Sequence, residues 1–398
     1  MDPIIWTYLS DWIHLLVRWL HVTAAIAWVG ASFYFIALDR SLRPPPGGER
    51  PSTLGEAWEI HGGGFYRIEK FRVAPTSLPE SLRWFKWEAY LTWLSGFSLL
   101  VLLYYLDANT YLIDPLVRPL EPWQAVGASA LLLLVGWLFY DQCSRRLAGR
   151  QRVLAIVLCV FIALIAWVSS QVFSARATYI EVGSMIGTWM VANVFFVIIP
   201  GQRALVAATA AGRPPDPSDG VRGKQRSIHN NYLTLPAIFA MISQHFPFTY
   251  GSEGRWLVLL ALMAVGAMVQ HVLNLRHDGR PAWGFVAGAF AIVVLVAVAL
   301  APPSIGSAPF TPAEFPMVAA VVSQRCQTCH SAVPRQPGFN APPKGVVFDT
   351  PAQMHAESRR MYQMVVVSKL MPLGNVTGMT QSERDLIARW VRAGAPVP

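Results

Sequence analysis

Apolar residues gather into eight long segments, near 13–38, 88–106, 122–141, 153–174, 178–199, 229–246, 256–275 and 282–301. Several are interrupted by Ser, Gln, Asn or His. Their lengths still match roughly 30 Å of hydrocarbon at about 1.5 Å per helical residue. After residue 301 the hydropathy falls, and Pro302, Pro303, Pro309 and Pro312 follow closely. This predicts a linker over 302–311 and a small domain over 312–398. The first helix of that domain is expected from about Pro312 to Gln324, capped by Thr311 and Glu314. The last is expected from about Thr380 to Ala393, with Thr380 as N-cap and Glu383 three residues on. Leu386, Ile387, Trp390 and Val391 form the apolar face of that helix. The expected class is all-α: an eight-span transmembrane bundle over 1–301, then the small domain.

Composition sharpens this. Hydrophobic residues make up 54% and charged residues 14%, against about 25% charged in ordinary soluble domains. That excludes a disordered chain and disfavours a cytosolic enzyme. Fifteen Trp and twelve Tyr suit a protein anchored at two lipid–water interfaces. The net charge of +9 comes without a dense basic tract, so a lipid bilayer is the expected partner and nucleic acid is not. Basic residues also orient the bundle. The odd-numbered connections hold 19 Arg and Lys, while the N-terminus and the even-numbered connections hold 3. Both termini and the small domain are therefore expected on the periplasmic side of a bacterial inner membrane. The first segment lacks a basic leader and a cleavage site, and is read as a retained span.

The first cytoplasmic connection runs from Asp39 to Trp87. Pro44-Pro45-Pro46-Gly47-Gly48 reads as a turn or linker. Gly62, Gly63 and Gly64 suit either close backbone approach to a ligand or a flexible turn. No dinucleotide fingerprint or phosphate-binding loop is present.

Two cysteines carry a chemical pattern. Cys326-Gln327-Thr328-Cys329-His330 is the attachment pattern of a covalent c-type haem, with His330 as axial ligand. Met371, in an extended stretch before Pro372, is the expected second ligand. The small domain then reads as a class I-like cytochrome c domain carrying one haem c. Cys143 and Cys159 read as buried hydrophobes. In the first span His14, Arg18 and His21 share one stripe, and His245 ends the sixth span on the same side. They fit haem b ligation, a substrate or proton site, or interfacial hydrogen bonding. Glu88, Glu181, Asn193 and Gln270 are further polar groups at or inside spans. The residues alone thus describe a membrane oxidoreductase delivering electrons to the periplasmic side. An electron-transfer subunit of a respiratory complex, a quinol-oxidising cytochrome and a transporter share the same inventory.

Several stretches together resemble the bacterial membrane-bound urate oxidase family, which carries a fused cytochrome c domain. They are Arg18-Trp19-Leu20-His21-Val22, residues 27–35, His61-Gly62-Gly63-Gly64-Phe65-Tyr66, residues 84–90, residues 92–96, His229-Asn230-Asn231-Tyr232-Leu233-Thr234-Leu235-Pro236, Met371-Pro372-Leu373-Gly374-Asn375 and Gly378-Met379-Thr380. The resemblance implies oxidation of urate to 5-hydroxyisourate in purine catabolism. Electrons would pass through haem c to a cytochrome c or terminal oxidase, with no peroxide formed. The urate pocket is then expected to draw on His21 and Arg18, or on the cytoplasmic set His61, Glu88, His229 and His271, with the outer histidines left for electron relay.

Overall fold

The computed structural model describes residues 3–45, 52–252, 254–277, 282–301, 310–336, 339 and 341–398. The expected linker, except for 310 and 311, and the Pro46-Gly47-Gly48 turn lie outside the described residues. In chain order the helices are α1 (Pro3–Ser41), α2 (Trp87–Leu100), α3 (Ala108–Tyr111), α4 (Pro122–Arg146), α5 (Gln151–Val172), α6 (Ala175–Asn193), α7 (Ile199–Ala210), α8 (Pro217–Ile242), α9 (Pro247–Tyr250), α10 (Arg255–His277), α11 (Trp283–Ala299), α12 (Phe315–Arg325), α13 (Pro351–Ala356), α14 (Ser358–Met361) and α15 (Gln381–Arg392). Strands β1 (Thr53–His61) and β2 (Gly64–Phe71) form one antiparallel hairpin between α1 and α2.

Five helical runs are long and apolar enough to cross a membrane: 8–41, 122–146, 151–172, 175–210 and 255–276. The eight expected segments thus reduce to five by this measure, each for a local reason. α2 passes into a π-helical turn at Val101–Tyr105. α8 carries Arg222, Lys224 and Arg226 in its first half. α11 has 17 residues. Large apolar side chains such as Trp19, Ile26, Ile156, Val160, Phe290 and Val298 lie on the outer surface. Exposure on this scale marks a lipid-facing or docking surface.

α6 is the hub, packed against α2, α4, α5, α8 and α10. Tyr179, Val182, Met185, Ile186 and Trp189 on it are fully enclosed. Small residues let the helices approach closely, as apolar solvent requires. A Cβ on Gly183 would sit 2.9 Å from the Ala240 Cβ, and one on Gly266 would sit 3.0 Å from the Pro236 nitrogen. Pro236 lies inside α8, where it removes one helical hydrogen bond, so α10 packs at a locally weakened backbone.

The hairpin departs from the all-α expectation. Gly62 and Gly63 take φ of 58° and 81°, the two positive values that a tight I′-type turn demands. The glycines therefore serve a hairpin turn. Glu56, almost fully buried, pairs with Arg67 at 2.7 Å, and Lys70 bonds Asp39 at the end of α1.

Residues 310–398 have their own apolar core, built from Val318, Val322, Phe348, Met361, Ile387 and Trp390 among others. Both expected capping boxes form: Thr311 with Glu314, and Thr380 with Glu383. The first predicted helix begins as a short 3-10 turn, Pro312–Glu314, and continues as α12.

Candidate functional site

The side chains of α4, α6, α8 and α10 meet in a buried polar layer near the C-terminal ends of α4, α6 and α10. Arg226 of α8 is its anchor. Its side chain is 4% exposed and contacts Asp141 at 2.7 Å. It also donates to the Asn193 Oδ1 at 3.2 Å and lies 5.1 Å over the Tyr140 ring. Arg145 reaches Asp141 from the outside at 2.7 Å. A guanidinium can stay charged here because carboxylate, amide and ring face replace its water.

Asn193 links this pair to a histidine. Its Nδ2 donates to the Tyr140 hydroxyl and to Asn230 Oδ1, both at 2.8 Å. The Tyr140 oxygen lies 2.8 Å from His229 Nδ1. A second tyrosine–histidine pair stands across α8, where the Tyr232 hydroxyl is 2.7 Å from His271 Nδ1. In both, the bond to Nδ1 fixes the ring and leaves Nε2 as the position that takes or gives a proton. Behind them runs an amide chain. Asn274 Nδ2 donates to Asn231 Oδ1 at 2.8 Å, and Gln270 Nε2 to Asn274 Oδ1 at 3.3 Å.

The chain of amides is incomplete. Asn231 Nδ2 and Gln270 Oε1 are buried without a hydrogen-bond partner, as are Trp189 Nε1 and Glu88 Oε2. Buried polar atoms are nearly always paired in folded proteins. These orphan donors and acceptors are places where a water molecule or a polar ligand would complete the bonding.

The expected site residues separate accordingly. His229 and His271 lie in the layer, and Glu88 lies in the first turn of α2. His61 ends β1 at the hairpin turn and is exposed. Arg18 is exposed and His14 half-buried on α1. His21 turns to α2, with Nδ1 at 3.0 Å from the Thr92 carbonyl and 3.1 Å from the Ser95 hydroxyl, over Gly96, where a Cβ would strike the ring. His245 is exposed in a single 3-10 turn. Glu181, fully buried, accepts from Ser129 at 2.8 Å, and Ser129 meets Tyr105. Tyr140, Asp141, Arg226 and Asn274 were not singled out by sequence. The signal was the spacing of Arg226, His229 and Asn230 on one face of α8.

The haem expectations require correction. Among the described residues no group of three or more His, Cys, Asp or Glu gathers to hold a metal ion. All four cysteines are free thiols. Cys326, expected to bond haem c, is buried in the core of the C-terminal region. Burial, with Cys329 beside it, pushes its thiol up to about 12. A protonated, enclosed thiol is a packing group. The Val346 carbonyl, 3.1 Å from His330 Nδ1, fixes that ring, and the Met371 backbone is tied to Met364 and Arg384. With no metal-holding group among the described residues, the haem c expected at Cys326, Cys329, His330 and Met371 and the haem b expected at His14, His21 and His245 are withdrawn, and no step runs through haem.

A family model described as Urate oxidase N-terminal matches residues 7–301. The matched stretch takes in the bundle and the whole polar layer. No curated protein and no solved structure matches the chain.

Proposed function

This chain belongs to the urate oxidase N-terminal family, and from that premise we propose that it oxidises urate to 5-hydroxyisourate at the α4–α6–α8–α10 polar layer. Family membership makes it an oxidoreductase of urate-oxidase type. The observation that carries the siting is the pair of orphan amide atoms, Asn231 Nδ2 and Gln270 Oε1, on the same two helices, α8 and α10, as the tyrosine-backed imidazoles of His229 and His271. Urate is a planar anion whose edges alternate N–H and C=O. One free donor and one free acceptor complement such an edge. His229, held by Tyr140, takes the proton released as water adds to the purine ring, and Arg226 stabilises negative charge at that end of the bundle.

The balanced reaction is urate plus water giving 5-hydroxyisourate, two protons and two electrons. The electrons leave to an external one-electron carrier of the cytochrome c class or to a terminal oxidase, two equivalents per urate, with no peroxide formed. The chain lies in the bacterial inner membrane with eight crossings and both termini periplasmic. The 19-to-3 basic bias supports this. So do the helical run of α2 with its π-turn, the apolar half of α8, and α11 as the three further crossings. Residues 312–398 form a separate periplasmic domain, supported by their own core.

The test is urate consumption by the purified full chain with oxidised cytochrome c as acceptor. Two cytochromes reduced per urate, without peroxide, is the expected result. Consumption only with peroxide formation overturns the acceptor, and no consumption with either acceptor overturns the urate assignment.

A further inference from the structure

A cavity separate from the polar layer lies where the connections of the bundle meet the segment between α14 and α15. Its volume is about 470 Å³, within the roughly 300–1,000 Å³ of ligand pockets. Four cationic side chains line it, Arg176, Arg255, Lys369 and Arg384, against one carboxylate, Asp114. The three guanidiniums are held by other groups. Arg176 lies over the Tyr111 ring at 5.5 Å. Arg255 donates to the Ser170 carbonyl at 2.7 Å. Arg384, 6% exposed, donates to the Val365 and Met371 carbonyls at 2.6 and 2.7 Å. Among the described residues none of the three closes an ion pair; Asp114 acts on Arg255 and Glu383 on Arg384 only from longer range, so the cavity keeps an excess of positive charge.

A second observation points to a ligand. Arg255 Nε and Ser252 Oγ are both buried without a partner, and both residues line this cavity. A buried cation and hydroxyl left unpaired cost free energy that an anionic acceptor recovers. We propose that this cavity binds a phosphate-type oxyanion, supplied either by the head group of an anionic phospholipid or by free phosphate. It lies where α6 and α10 begin, at the ends of two apolar runs, where a lipid head group would meet it. The bound anion bridges Arg255 of the bundle and Arg384 of the C-terminal region, fastening one to the other.

The test uses the delipidated full chain in a neutral detergent. Phosphatidylglycerol, phosphatidylcholine and inorganic phosphate are titrated separately, read by retained lipid in native mass spectrometry and by the thermal midpoint. Phosphatidylglycerol or phosphate should bind saturably, and phosphatidylcholine at least ~tenfold more weakly. Arg255→Gln should weaken anion binding about tenfold or more, the loss expected for a charge-assisted hydrogen bond. Ser252→Ala, which removes only an unpartnered hydroxyl, should weaken it severalfold and serves if Arg255→Gln fails to fold. Saturable binding of inorganic phosphate alone assigns a soluble occupant, and binding of phosphatidylglycerol alone assigns a lipid. Equal binding of all three probes, or binding unchanged within twofold in both variants, overturns the site. Urate turnover is scored separately, so loss of one proposal leaves the other standing.

Discussion

Arg226 shows how one residue can change meaning between sequence and fold. By position it counts among the basic residues of a connection between spans, and it helps to orient the bundle. In the fold it is enclosed, with Asp141, Asn193 and Tyr140 around it. Charge counting therefore hides the residue that anchors the polar layer, because a helix can carry a loop-like charge inward when its partners come from two other helices. Arg226→Met should destabilise the protein by about 3 kcal/mol, the low end for breaking a buried pair, since Arg145 still covers Asp141. Adding Asp141→Leu should recover much of that, as measured by denaturation in detergent. His229 and His271 were legible because imidazole is rare in apolar runs. Their tyrosines were not, since Tyr at a span end reads as an interfacial anchor. His229→Gln should lower kcat by about 10²-fold or more. Asn231→Leu and Gln270→Leu should act mainly on KM, as expected of groups that hold ground state and transition state alike. The reverse split would exchange the roles of the imidazole and the amides.

At the scale of elements, the clearest difference is α8. The apolar pattern begins at 229, but the helix begins at Pro217, after Asp216, whose carboxylate accepts from the Ser218 amide at 2.9 Å. The Asp-Pro start signal lay twelve residues before the hydropathy rise and was overridden by it. The β-hairpin was masked in the same way: its glycines read as a ligand approach or a flexible turn, and the strand-like alternation on either side was overlooked. The short helices of the C-terminal region were better marked, because capping boxes are local and need no tertiary partner. Their chemistry gives a pH dependence. Burial raises the Glu383 carboxyl, but the Thr380 amide and Arg325 outweigh it and hold it below its ordinary range. That stability is present above the ordinary carboxylate pKa of about 4.3 and is lost as pH falls through the depressed value. Burial lowers His330, so protonation begins to cost stability once pH falls below about 6.5. Thermal stability of the full chain should weaken progressively from pH 7 to about 3, through His330 first and Glu383 below about 4.3. Glu383→Gln should flatten the lower part of that curve, and an unchanged slope would show that the Arg325 pair contributes nothing. Gly251 supplies a second check on an element boundary. A Cβ there would collide with the Ser368 backbone, so Gly251→Ala should raise hydrogen exchange across 364–374 while leaving α4 to α8 unchanged.

The whole molecule joins two observations that share little. One is the distribution of basic residues, which needs no structure. The other is the polar layer, whose members come from opposite ends of successive segments: the last turns of α4, α6 and α10, but the first half of α8. Alternating up-and-down helices bring those ends to one side, and the basic connections lie on that side too. Of eight apolar segments, five meet the length and hydropathy expected of a crossing. The other three carry the π-turn, the charged start of α8 and the short α11, so hydropathy is weakest where the chain departs from a plain helix. The run from Ala175 to Ala210 has 36 residues, or about 54 Å at 1.5 Å per residue, well beyond the hydrocarbon thickness. Its far end, α7, packs against the start of α8, and the expected loop over 200–227 is replaced by a helical hairpin. If the basic side is cytoplasmic, that hairpin projects into the cytoplasm and brackets the polar layer where an intracellular purine would enter. A reporter inserted in the 211–216 turn should then be active only in the cytoplasm, and one fused after Pro398 only in the periplasm. Opposite signals at the two points are required, because an odd number of crossings separates them in the eight-span reading. Matching signals would remove one of α8, α10 and α11 from the membrane and leave the polar layer without the side that the basic bias gives it.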